Sequence, residues 1–188
     1  MPILGIFDSS KTGNLASPAW DFIAGASLNG LSSYTFNSIP QTYKHLQIRM
    51  LAKSNRPNTN GPSWINVNGD TTASNYTTIY FYTYGTSGLV DQAWTAGEGG
   101  YAMNSAGNTA SSNVFGASYI TILNYTDTNK FKNGIGIGGI NNANSGDQVM
   151  GPAFSVWKNT NAINSVTVVP FTSPFLNNSS AAIYGLKG

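Results

Sequence analysis

Apolar and polar residues alternate with a period of two along most of the chain after Trp20, which is the repeat of a strand and not of a helix. Leu46, Ile48, Met50 and Ala52 alternate with His45, Gln47, Arg49 and Leu51. Ile65 and Val67 alternate with Trp64, Asn66 and Asn68, and Asn68-Gly69-Asp70 then supplies turn chemistry. Tyr76, Thr78, Tyr80, Tyr82 and Tyr84 share one face of the next strand; Thr77, Ile79, Phe81 and Thr83 share the other. Further strands are predicted over 19–27, 33–36, 117–125, around Ile135 and Ile137, and over 154–157, 163–169 and 181–186. No window of ten or more residues carries apolar positions at i, i+3 and i+4, so almost no helix is expected. About ten short strands at this spacing predict an all-β antiparallel sandwich or barrel.

Three stretches depart from the pattern. Residues 1–18 open with a short apolar run, Ile3-Leu4-Gly5-Ile6-Phe7, and then turn polar, which predicts an extended arm that docks elsewhere; residues 19–188 form the sandwich domain. Gly85–Asn113 is rich in Gly, Ala, Ser and Asn, with Trp94 and Tyr101 as its large anchors, and reads as loop. Gly138–Gly146 reads as loop too. The prolines at 40, 57, 62, 152, 170 and 174 are expected between strands or at their ends.

Composition narrows the function classes. The 188 residues include 9 Lys plus Arg, 7 Asp plus Glu, one His and no Cys. Thiolate metal sites, disulfides and cysteine nucleophiles are excluded. A net charge of +2 with no basic cluster argues against nucleic acid. No basic n-region and no apolar run near ~20 residues is present, so neither a secretory signal nor a membrane partner is expected, and synthesis in the cytoplasm is.

Catalytic candidates are few. His45 alternates to the polar face of its strand, and no G-x-S-x-G elbow exists. The acids, Asp8, Asp21, Asp70, Asp91, Glu98, Asp127 and Asp147, mostly sit beside Gly or Asn in turns, where Asp is structurally favoured. Asp127-x-Asn129 and Asn144-x-x-Asp147 gather oxygens but lack a calcium loop's closing Glu, so no metal and no cofactor is expected. Gly134-x-Gly136-x-Gly138-Gly139 precedes no helix and reads as a bulge or a close backbone approach in a strand, not as a phosphate loop. What remains is surface. Ile79 and Phe81 are the better core candidates on their strand, which leaves Tyr76, Tyr80, Tyr82 and Tyr84 as a candidate interface; Trp94 and Tyr101 are candidate loop-binding residues.

Several blocks carry a resemblance. Ser38-Ile39-Pro40-Gln41-Thr42-Tyr43-Lys44-His45-Leu46-Gln47-Ile48-Arg49 resembles the S-I-P-x-T-Y-K-H-L-Q-I-R block of structural proteins of tailed bacteriophages. Val67-Asn68-Gly69-Asp70 with Asn75-Tyr76, Asn113-Val114-Phe115-Gly116-Ala117, Ile122–Tyr125, Thr128–Lys132 and the ending Ile183-Tyr184-Gly185-Leu186-Lys187-Gly188 are similar to further blocks of that family. The opening Met1-x-Ile3-Leu4-Gly5-Ile6 with Ser9-Ser10 is similar as well. The resemblance spans most of the chain; the Gly-rich stretch 134–139 departs from it. It implies a jelly-roll-like sandwich and a virion location. The expected function is non-enzymatic: capsid decoration or cement, docking Ile3, Leu4, Ile6 and Phe7 on the major capsid protein and forming a homo-oligomer, a trimer by preference. The alternative is a receptor-binding tail or fibre module that recognises host glycans.

Overall fold

The computed structural model describes residues 20–85, 87–95, 100–142 and 148–187, with backbone alone for 84, 87–95 and 102. The arm, with Ile3, Leu4, Ile6 and Phe7, lies outside the described residues. Within them the chain forms twelve strands and one short 3-10 turn, Ala73–Asn75. The strands are β1 (Trp20–Ser27), β2 (Tyr34–Phe36), β3 (His45–Ala52), β4 (Asn60–Val67), β5 (Tyr76–Tyr84), β6 (Ser87–Thr95), β7 (Tyr101–Ala106), β8 (Gly116–Leu123), β9 (Lys132–Asn141), β10 (Gln148–Trp157), β11 (Val166–Pro170) and β12 (Ser180–Leu186).

They make two antiparallel sheets packed face to face. The large sheet runs β1-β12-β3-β8-β9-β10-β5-β6 and the small one β2-β11-β4-β7. The order contains a simpler one. Without β5–β6 and β9–β10, eight strands remain, and in chain order they read 1-8-3-6 facing 2-7-4-5. That is a jelly roll, two interlocked Greek keys. The two additional hairpins interrupt the β4-to-β7 and β8-to-β11 connections, and both add to the same side of β8. The large sheet is thereby doubled in width while the small one keeps four strands.

The core lies between the sheets. From the large sheet it takes Leu46, Ile48 and Met50 of β3, Ile120 and Ile122 of β8 and Ile183 of β12. From the small sheet it takes Ile65, Val67, Tyr101, Met103, Val166 and Val168. Burying one aliphatic side chain of this kind contributes roughly 1.5–3 kcal/mol. Asn68 and Gly69 both take positive φ, 52° and 69°, in the turn that ends β4. Asn68 suits the αL conformation and ties the turn down by accepting from the amides of Asn164 and Ser165.

Three expectations are corrected. The segment expected as loop over Gly85–Asn113 contains β6 and β7. Tyr101, Met103 and Ser105 of β7 alternate inward, and their mixed polarity hides the strand period. β9 continues to Asn141, well into the stretch expected as loop from Gly138. Pro62 and Pro152 lie inside β4 and β10, not between strands. Pro152 is opposite Ile137 on β9, whereas the β10–β5 ladder runs to Met150 opposite Thr83 and resumes at Ala153 opposite Tyr80, as a residue without an N–H donor requires.

Candidate interaction surface

The faces of β5 are the reverse of the sequence expectation. Tyr76 is 1% exposed and sits in the core, its ring edge-on to Tyr101. Its hydroxyl donates to the Asp70 carbonyl at 2.8 Å and accepts from the Val67 amide at 3.1 Å. Thr78 is buried against Ser155, 2.8 Å between hydroxyls. Tyr80 and Tyr82 are half-buried on the same side; Asn104 Nδ2 donates to the Tyr80 hydroxyl, and Tyr82 packs on Ala106, Ala110, Ile140 and Val149. Burial pushes the Tyr76 and Tyr80 hydroxyls far above the ordinary phenol range, so both remain neutral. The opposite residues face out: Ile79 is 45% and Phe81 38% exposed. The tyrosine ladder of Tyr76, Tyr80 and Tyr82 is therefore inward-facing and not an outer interface; the side chain of Tyr84 lies outside the described residues. A tyrosine can take an inner position here because the strand that covers it, β7, brings polar partners with it.

Tyr101 is corrected in the same way. It is fully buried in β7, with its hydroxyl donating to the Lys132 carbonyl at 2.8 Å, and has no part in a binding loop. The side chain of Trp94 lies outside the described residues.

The outward apolar residues form one continuous field. Phe154 of β10 lies between Ile135 of β9 and Ile79 of β5 in directly paired positions. Ile137 lies between Tyr119 of β8 and Pro152 of β10. Met150, the most open at 60%, adjoins Gly139, which pairs with Ala117, which pairs with Leu51. Among the described side chains one charged group enters this field, Arg49, opposite Tyr119. Its guanidinium lies over the Tyr184 ring at 4.2 Å, and its Nε donates to Gln47 Oε1 at 2.6 Å. Between Met150, Tyr119 and the loop Asn113–Phe115 the field dips into a groove of about 770 Å³ floored by Ala117, Ile137 and Gly139. The outer face of the small sheet differs: Thr35, Thr167 and Asn66 form a polar row, and the Thr35 and Thr167 hydroxyls bond at 2.9 Å.

The sequence held a signal for this face. In β9 every large apolar residue before Ile140 is at an odd position, and Gly134, Gly136 and Gly138 hold the even ones. The even positions face inward. A Cβ on Gly134 would lie 3.0 Å from the Tyr101 ring, and one on Gly136 would lie 2.5 Å from the Tyr119 carbonyl oxygen. Of the two expectations for these glycines the fold uses the close approach and not the bulge, for β9 keeps an unbroken register with both neighbours.

The titratable groups serve the scaffold. His45 Nδ1 accepts from the Asn124 amide at 2.9 Å; burial, and then the neighbouring Lys44 charge, lowers its pKa, which suits the neutral ring that this bond needs. Asp70 receives the Trp157 indole at 2.7 Å, Asn75 Nδ2 at 2.8 Å and the Thr72 amide at 2.9 Å. Burial pushes its carboxyl up, but those donors together hold it below the usual carboxylate range. Lys132 is fully buried and donates to the carbonyls of Asp127, Lys130 and Thr160; Lys53 donates to those of Ala110 and Ser111. Burial lowers the pKa of both lysines. Asp127 accepts from the Asn129 amide at 2.8 Å and pairs with Lys130 at 3.3 Å; Asn144–Asp147 lies outside the described residues. Asp21 pairs with Lys187 at 2.7 Å. Among the described residues no three His, Asp or Glu side chains come together as a metal site. No helix among them is long and apolar enough to cross a membrane.

No protein-family model matches the chain, and no curated protein matches it.

Proposed function

We propose that the chain is a non-enzymatic structural protein of a tailed-phage particle, a capsid decoration protein that works by contact area. The observation that carries this reading is the division of labour among its side chains. Asp70, Asp127, Lys53, Lys132 and His45 are taken up in holding loops and strands, while a largely apolar field is turned outward. Such a molecule is suited to association and offers little for acid–base or nucleophilic chemistry. The blocks that resemble phage structural proteins fall on framework: the first leads into β3, another builds the Asp70 turn, and the last is β12. In this reading Ile3, Leu4, Ile6 and Phe7 dock on the major capsid protein, and several contacts per oligomer supply avidity.

The receptor-binding alternative has lost Tyr101 to the core and retains Trp94 as its aromatic candidate. The test is co-sedimentation of the purified protein with undecorated shells. Binding is expected, and Ile3→Ser, Leu4→Ser, Ile6→Ser and Phe7→Ser together are expected to abolish it. A wild-type protein that stays in the supernatant, or a quadruple variant that binds as well as wild type, overturns the reading.

A further inference from the structure

His45 and Lys132 grip the two ends of the connection between β8 and β9, and the two grips need opposite protonation states. At the first end, His45 Nδ1 accepts from the Asn124 amide at 2.9 Å. A ring nitrogen that accepts carries no proton, so the neutral ring holds its one hydrogen on Nε2. The residue it holds is in the left-handed region, with φ of 46°. At the other end, Lys132 is fully buried and its Nζ donates to the carbonyls of Asp127 at 2.5 Å and of Lys130 and Thr160, both at 2.8 Å. Three acceptors on one nitrogen take all three ammonium protons; a neutral amine has only two to give.

Acid acts on one end alone. Lys132 is already protonated and keeps its three carbonyls as pH falls. Asp127 favours its charge; Lys158, next after Trp157 opposite Lys132, and Lys130 are the like charges on the adjoining segments. His45 with a proton on Nδ1 would set one N–H donor against another and lose Asn124. The acids on the neighbouring elements are committed elsewhere. Asp21 of β1 pairs with Lys187, next after Leu186 opposite His45 on β12, and in the connection Asp127 takes the Asn129 amide and Lys130. On its own strand, Lys44 adds a like charge beside the ring. Burial opposes the imidazolium most and the Lys44 charge next; the Lys44 carbonyl favours it, and least.

We infer that the β8–β9 connection is a one-sided acid catch: protonation of His45 releases the Asn124 end while the Lys132 end stays fastened. The hold of His45 is complete above the ordinary histidine value of about 6.5 and is lost as pH falls through the lower value of the folded state. Release lets Asn124 leave the left-handed region and shifts the base of a turn that carries exposed Lys130 and leads to exposed Phe131, so this end of the sandwich presents a different surface in acid. The catch is independent of shell binding.

His45 is the one histidine in the chain, so nitrogen NMR of the full protein reads it without ambiguity. At pH 7.5 its Nδ1 is expected to be unprotonated, with a titration midpoint below 6.5. The exchange rate of the Asn124 amide, corrected for the intrinsic effect of pH, is then followed from pH 7.5 to 4.5, a range over which the donors on Asp70 and Asp127 hold both as carboxylates. Its protection is expected to fall up to about tenfold for each pH unit below the midpoint, while the amides of β3 and β8 keep theirs. His45→Asn offers an oxygen acceptor that does not titrate, and is expected to remove the acid response. A midpoint at or above 6.5, an Asn124 amide whose protection is unchanged at pH 4.5, strands that open together with it, or a His45→Asn variant with the wild-type response overturns the inference. Should that variant fail to fold, the wild-type midpoint and the Asn124 amide still decide.

Discussion

β3 and β9 lie two strands apart in one sheet, yet they distribute side chains in opposite ways. β3 points Leu46, Ile48 and Met50 into the core and Gln47 and Arg49 outward. β9 points Gly134, Gly136 and Gly138 inward and Ile135 and Ile137 outward. The difference follows from what lies across the sandwich. Beneath β3 the gap between the sheets is filled with side chains. Beneath β8 and β9, β7 comes close: a Cβ on Gly116 of β8 would meet the Ser105 Cα at 2.6 Å, and one on Gly134 would meet the Tyr101 ring. Little inner volume is left for β9 to fill, so its large residues are on the other face. An outward isoleucine is therefore not a misplaced core residue; it belongs to a strand whose inner face is closed by the Tyr101 ring and by residues 118–120 of β8.

Ile48→Ala is the strongest test of this contrast. Its cavity in the filled half of the sandwich is expected to cost ~2–5 kcal/mol, read as a fall in the thermal midpoint. Next is Gly136→Ala, which asks how tightly β9 is held against β8. The added methyl meets the Tyr119 carbonyl oxygen, and a loss of about 1–3 kcal/mol in a denaturant titration is expected. An unchanged or raised stability would mean that the two neighbouring strands give way easily there.

Asp70, in the turn after β4, ties the small sheet to the added hairpins: its carboxylate holds Trp157 of β10 and its carbonyl holds Tyr76 of β5. Because its pKa is lower in the folded state than in the unfolded chain, its contribution is fully present above about pH 4 and is lost as pH falls through the folded value. Asp70→Asn is expected to cost roughly 1–2 kcal/mol at neutral pH and to flatten the acid limb of the stability curve relative to wild type. Asp127, also lowered by the Asn129 amide and Lys130, titrates in the same window, so the difference between the two proteins, and not the wild-type curve alone, carries the test. An acid limb of equal slope in both would remove Asp70 from the account. The smallest effect is expected from Ile137→Thr, which should leave the melting of the monomer within about 0.5 kcal/mol of wild type. A loss comparable to that of Ile48→Ala would show that the outer face of β9 is as buried as the inner face of β3.

Strands of the jelly roll proper were legible because their apolar alternation is complete: β8 and β12 each bury one parity of residue, and in β3 Leu46, Ile48, Met50 and Ala52 hold one parity, with Gln47 the one buried residue of the other. The sandwich class followed from that period alone, whereas the jelly-roll order depends on pairings as remote as Trp20 with Leu186, which no local pattern encodes. β5 was misread because both of its faces are apolar enough to serve as a core, and only the position of β7 decides between them. β6 and β7 were missed because Gly, Ala, Ser and Asn dilute the alternation. The turn roles of Asp70 and Asp127 were visible in their Asn and Gly neighbours. The inward-facing glycines of β9 allowed either a bulge or a close approach; the unbroken register decides for the second, and with it goes the corollary that the isoleucines face out.

β12 sits between β1 and β3 and is hydrogen-bonded to both. During synthesis on the ribosome, therefore, the first and third strands each keep an open edge until residues 180–186 emerge, and the wide sheet stays split in two. Closure of the jelly roll waits for residues 180–186, and it brings together residues far apart in the described chain, a topology that folds on the slow side of the usual scale. In that interval β1 and β3 expose the unpaired backbone that chaperones, and unwanted neighbours, recognise.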